Sequence, residues 1–109
     1  MAMRVRRVTM PETAKSGDII EIRTVIQHPM VTGHTSAGTN AVPRRIIHTF
    51  TASYDGEEVF RAKLGSGIAS NPLLVFTTVA TKTGDIVFTW IDDTGERAVE
   101  TRRLTVTAA

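Results

Sequence analysis

Apolar and polar residues alternate along most of this chain with the period of two expected of β-strands, and helical spacing is scarce. Between residues 19 and 27, Ile20, Ile22, Thr24 and Ile26 fall on one side, with Glu21 and Arg23 on the other. That alternation puts one face on a core and the other in water. Threonine, valine and isoleucine dominate the runs between turn signals, as strands prefer. The pattern predicts strands over Val5–Met10, Ile19–Gln27, Ile46–Tyr54, Glu58–Leu64, Leu73–Ala80, Ile86–Ile91 and Ala98–Thr107.

The faces follow from the same alternation. Ile46, His48, Phe50, Ala52 and Tyr54 share one side of the third strand, and Phe60, Ala62 and Leu64 point inward from the fourth. Leu73 to Ala80 is nearly continuous in apolar character, which predicts a central strand covered on both faces. Ile86, Phe88 and Trp90 line one face of the next.

Turn residues separate these runs. Pro11 to Asp18 is a polar turn, and Asp55-Gly56 is a strong hairpin signal, because a type I′ turn needs positive φ at both central positions. Gly65-Ser66-Gly67 and Asn71-Pro72 interrupt the middle of the chain, and Asp92-Asp93-Thr94-Gly95 reads as the last turn. Ser16-Gly17-Asp18 and Thr83-Gly84-Asp85 each precede an isoleucine-led strand, which suggests one turn chemistry used twice. The long irregular stretch His28 to Arg45 is the default place for binding, since loops of that length often carry function.

Seven short strands with turn signals at fairly even spacing predict an all-β protein, an immunoglobulin-like β-sandwich of about seven antiparallel strands filling one domain over residues 1–109. Its core is expected to rest on Ile22, Phe50, Leu74, Phe76, Phe88 and Trp90.

Composition narrows the chemistry. The chain has no cysteine, so it holds no disulfide, no zinc thiolate and no thiol nucleophile. Thirteen Lys and Arg against eleven Asp and Glu leave a net charge of only +2, with the cations mostly interleaved among carboxylates. Arg4, Arg6 and Arg7, Arg44-Arg45 and Arg102-Arg103 are the densest exceptions. With one Trp and one Tyr, a stacking platform for nucleic acid is poorly supplied, and no nucleic-acid partner is expected. No apolar run approaches the ~20 residues of a membrane span, and residues 1–10 lack the apolar segment of a signal peptide.

Candidate sites are thin. His28, His34 and His48 are the only histidines, and residues 24–54 contain no Asp or Glu to complete a metal shell, so a metalloenzyme built on them is the weaker reading. Ser66 lacks the strand-turn-helix setting of a catalytic serine elbow, and Asp92 and Asp93 read as turn residues. What remains is a binding module: either a stand-alone accessory sandwich or a subunit that docks a partner.

Several segments, taken in order, resemble one known family. They are Arg4 to Val8 with Gly17-Asp18-Ile19-Ile20-Glu21-Ile22-Arg23; His28-Pro29-Met30-Val31-Thr32-Gly33; Val42-Pro43 before Ile46-Ile47-His48-Thr49-Phe50; Ser70-Asn71-Pro72-Leu73-Leu74-Val75-Phe76; Gly84-Asp85-Ile86-Val87-Phe88-Thr89-Trp90; and Asp92-Asp93-Thr94-Gly95. Together they resemble SoxZ, the Z subunit of the SoxYZ thiosulfate-oxidation sulfur carrier. The resemblance implies a non-enzymatic subunit without cofactor or metal, paired with a SoxY-type subunit whose C-terminal cysteine carries the sulfur. It also implies transient contact with other Sox enzymes. It implies the periplasm as well, reached by export with a signal-bearing partner. His28, Pro29, Met30, Asn71 and Pro72 are expected at the partner interface or as loop-fixing positions. The segment His34 to Asn40 departs from the family in being rich in Ser, Thr and Gly, which leaves its contacts open.

Overall fold

A computed structural model describes residues 4–28, 46–65 and 72–108. Among them it forms eight strands and no helix: β1 (Arg4–Thr9), β2 (Thr13–Lys15), β3 (Ile19–Gln27), β4 (Ile47–Tyr54), β5 (Glu57–Lys63), β6 (Leu73–Val79), β7 (Gly84–Asp92) and β8 (Arg97–Thr107). They build two sheets, β1-β3-β6 and β2-β8-β7-β4-β5. The immunoglobulin-like sandwich expected from the alternation is the architecture found.

The inward faces meet in one core. Ile20, Ile22, Ile26 and Phe76 come from the smaller sheet, and Phe50, Ala52, Ile86, Phe88, Trp90 and Leu104 from the larger. Phe50 sits at its centre, with ring centroids 5.1 Å from Trp90, 6.1 Å from Phe76 and 6.3 Å from Phe88. Phe76 therefore reaches across the gap between the sheets. The expected core residues are in place, with Leu74 only partly buried against the cluster.

Three local expectations are corrected. The Pro11–Asp18 segment is not wholly a turn: β2 forms inside it and runs parallel to β8, pairing Thr13 with Thr105 and Lys15 with Thr107. His48 does not share the inward face of Phe50, because the β4–β7 register shifts between Ile47 and Thr49. Such a bulge inserts an extra residue and re-aims the side chains before it, so Ile47 and Thr49 are buried and His48 is half-buried. The two Gly-Asp echoes also differ. Gly17 has φ +96° in a turn, whereas Gly84 lies in β7, where an added Cβ would come within 3.0 Å of Asp55 Cβ. Gly84 is there for close approach and not for turning.

The β4–β5 hairpin closes as its sequence predicts, with positive φ at Asp55 (50°) and Gly56 (87°).

The largest correction concerns β6. It is not a central strand. Among the described residues it pairs only with β3, at the border of the smaller sheet. Its inward residues Leu74 and Phe76 join the core, while Leu73, Val75 and Val79 face outward and are exposed. The continuous apolar run records an apolar outer face, not burial on both sides.

Candidate partner interface

The outer face of the smaller sheet is assembled by register. On β3 the outward positions are Ile19, Glu21, Arg23 and Val25; on β6 they are Val79, Thr77, Val75 and Leu73, paired with them in that order. Arg7 and Thr9 of β1 stand beside Val25 and Arg23. Five large apolar side chains are exposed among the described residues: Ile19 (74%), Leu73 (57%), Val75 (47%), Val79 (46%) and Val99 (57%). Four of them lie on this one face; Val99 stands alone on β8. Scattered apolar residues are ordinary on a protein surface, but clustered ones mark contact sites. Leu73 and Val79 are six residues apart on an extended strand, so the apolar stripe runs about 20 Å. Covering each half-exposed aliphatic chain contributes roughly 1 kcal/mol.

Arginines border the stripe. Arg23 pairs with Glu21 at 2.6 Å, and Arg6 donates to the Gln27 side chain at 2.9 Å. The three strands together carry Arg4, Arg6, Arg7 and Arg23 against the single acid Glu21.

At the end of the sandwich where β3 finishes, His28 and Asp92 meet. His28 Nε2 lies 3.1 Å from Asp92 Oδ2, and both side chains are fully buried. With Asp92 ionised, the ring proton must sit on Nε2 for this bond to form. The other carboxylate oxygen, Oδ1, accepts from the Thr94 amide at 2.9 Å, the Thr94 hydroxyl at 2.5 Å and the Glu96 amide at 3.1 Å. Asp92 is thus a turn residue, as its sequence context predicts, but one buried at the end of β7 and tied to the other sheet. Asp93 extends the knot: its carboxylate accepts from the Ile46 amide at 3.3 Å, and its own amide donates to the Ile46 carbonyl at 2.9 Å.

Tyr54 closes the opposite end. Its hydroxyl donates to the Lys82 carbonyl and accepts from the Thr81 and Lys82 amides, both at 3.1 Å. This fixes the β6–β7 connection to the β4–β5 hairpin, and the Lys82–Asp55 ion pair at 2.9 Å adds to it. A shallow groove of about 380 Å³ opens there, lined by Tyr54, Val59, Val79 and Lys82 among others.

Of the residues singled out by sequence, His28 sits in the buried pair, and Pro72 is buried with its carbonyl accepting from the Ile26 amide at 3.4 Å. Pro29, Met30 and Asn71 lie outside the described residues, as do His34, Arg44, Arg45 and the rest of the 34–45 loop. His48 Nδ1 is 2.7 Å from the Thr49 hydroxyl. Among the described residues no three His, Cys, Asp or Glu side chains group as metal ligands. Sequence reasoning missed the exposed stripe because it read the apolar run of β6 as burial. It missed the Asp92 contact because nothing local links residue 28 to residue 92.

The family described as "Sulphur oxidation protein SoxZ" matches residues 6–103. The chain belongs to the SoxZ family. It is accordingly a protein of Sox sulfur oxidation. No curated protein matches it. Among solved structures, a superoxide reductase (neelaredoxin) from Ignicoccus hospitalis is similar at 15% identity and TM-score 0.71, covering 98% of this chain and 81% of that one. The sulfur carrier protein SoxY from Chlorobium limicola f thiosulfatophilum is similar at 14% identity and TM-score 0.63, covering 98% and 80%. A protein from Thermotoga maritima described as a "putative superoxide reductase" gives 16% identity and TM-score 0.67, covering 93% and 84%. At these identities the likeness is one of fold.

Proposed function

We propose that this chain is the non-catalytic subunit of a two-protein sulfur carrier. It holds and presents a SoxY-type partner, whose own cysteine bears the covalent sulfur intermediates of thiosulfate oxidation and offers them to the Sox enzymes. The family match over residues 6–103 carries this reading. Two features of the chain support it. The sequence has no cysteine, so it lacks the thiolate that holds sulfur as a persulfide. Its smaller sheet also exposes an apolar stripe of the kind that subunits cover. The work is then done by shape: a rigid sandwich fixes the partner in place and adds surface that enzymes read. The setting that goes with it is the periplasm, reached together with the partner.

The test is co-expression with a SoxY-type protein from the same organism. The expected result is a one-to-one complex that survives gel filtration, with sulfur adducts found by mass spectrometry on the partner alone. A chain that stays monomeric with the partner present at micromolar concentration, or that itself carries a sulfur adduct, overturns the reading.

A further inference from the structure

We infer that the SoxY-type partner docks on the outer face of β3 and β6, with Ile19, Leu73, Val75 and Val79 as the apolar contacts and the arginines of β1 and β3 as the charged border. The inference rests on the function proposed above and goes further by assigning the surface.

The first argument is exclusivity. Four of the five exposed large apolar side chains among the described residues share this face. Among the described residues the larger sheet offers only Val99 on its outside, with Arg97 and Arg103 on the same face of β8.

The second argument is protection. Natural sheets guard their border strands with charge. β5, at the border of the larger sheet, carries Glu57, Glu58, Arg61 and Lys63. β6, at the border of the smaller one among the described residues, has no charged residue from Leu73 to Val79. An uncharged apolar border strand is tolerable where a partner covers it.

The third argument is the shape and charge of the occupant. The apolar contacts run about 20 Å along β6 and reach one strand over to Ile19 of β3, a patch that the face of another sheet can cover. SoxY is a sandwich of similar fold and brings such a sheet. Four arginines against one glutamate on these strands call for acidic groups on the facing surface. A second copy of this chain would bring the same arginines against them, which disfavours self-pairing. A stable interface needs roughly 800 Å² per partner, so the partner must cover the whole face and its arginine border and not the stripe alone.

The test compares three chains in titrations against the purified SoxY-type protein: wild type, the double variant Leu73→Glu with Val79→Glu, and the control Val99→Glu. All three substituted side chains point to solvent, and thermal unfolding checks that each variant folds. Radical footprinting of the wild-type complex supplies a readout that needs no variant. The expected result is affinity lowered roughly 100-fold by the double variant, no change for Val99→Glu, and reduced labelling of Leu73 and Val75 on complex formation. Wild-type affinity for the double variant, with unchanged labelling of Leu73 and Val75, overturns the inference while leaving the proposed function standing. Protection of the stripe by a second copy of this chain and not by the partner also overturns it. A wild-type chain that binds no SoxY-type protein sinks the proposed function itself.

Discussion

His28 and Asp92, 64 positions apart in the chain, meet at 3.1 Å in a fully buried contact that ties the end of β3 to the end of β7. One residue belongs to each sheet's end, so the pair fastens the two layers where the chain leaves for its long connection. Asp92 also organises the turn after β7 through its second oxygen.

Replacing Asp92 should therefore be among the costliest single changes here. Asp92→Ala removes the carboxylate that His28 meets at 3.1 Å and that accepts from the Thr94 and Glu96 amides. We expect a loss of about 3–5 kcal/mol, the usual cost of breaking a buried pair by removing one partner. Asp92→Asn keeps an oxygen for the turn and should cost less. Urea unfolding of both variants checks the order; equal costs would show that the turn bonds contribute nothing.

Tyr54→Phe tests the other end of the sandwich. The change deletes a hydroxyl and leaves the Thr81 and Lys82 amides and the Lys82 carbonyl without that partner. A loss of about 1–3 kcal/mol is expected, with the ring packing retained. Faster hydrogen exchange at the Thr81 and Lys82 amides should accompany it.

The same hydroxyl can be titrated directly, because Tyr54 is the chain's one tyrosine. Burial pushes its pKa up, but the hydrogen bonds from the Lys82 and Thr81 amides together outweigh this and hold it below the usual 10.0. Tyrosinate absorbance should therefore rise at lower pH in the folded protein than in urea. A folded value below the unfolded one adds stability that is fully present above the unfolded value and is lost as pH falls through the folded one. A folded-state titration above that in urea would reverse the sign.

Phe60 and Phe76 stack with centroids 4.5 Å apart and planes 7° apart, joining border strands β5 and β6 of the two sheets. A double-mutant cycle to leucine at both positions should show a coupling of about 0.5–1.5 kcal/mol. Additive losses would mean that the two borders are held together by other contacts.

The turn and face assignments were legible because their causes are local. Asp55-Gly56 adopts positive φ because glycine does so without strain and aspartate tolerates it. Ile20, Ile22 and Ile26 are buried because a strand's side chains alternate. Where a bulge interrupts β4, alternation fails, and His48 was placed on the wrong face for that reason. The short parallel strand β2 was read as turn because three residues give too short a pattern to register against the polar background.

Residue order alone determined that this is a thiol-free β-sandwich, with most of its strands, its hairpin and its aromatic core, since each follows from neighbours a few positions apart. Only the tertiary structure decided that β6 lies at a border, that Ile19 comes to stand beside Val79, and that a histidine and an aspartate from different sheets share a buried bond. Strand order and register depend on which distant segments pair, and that is settled by packing the whole core at once; alternation within a strand carries no record of it.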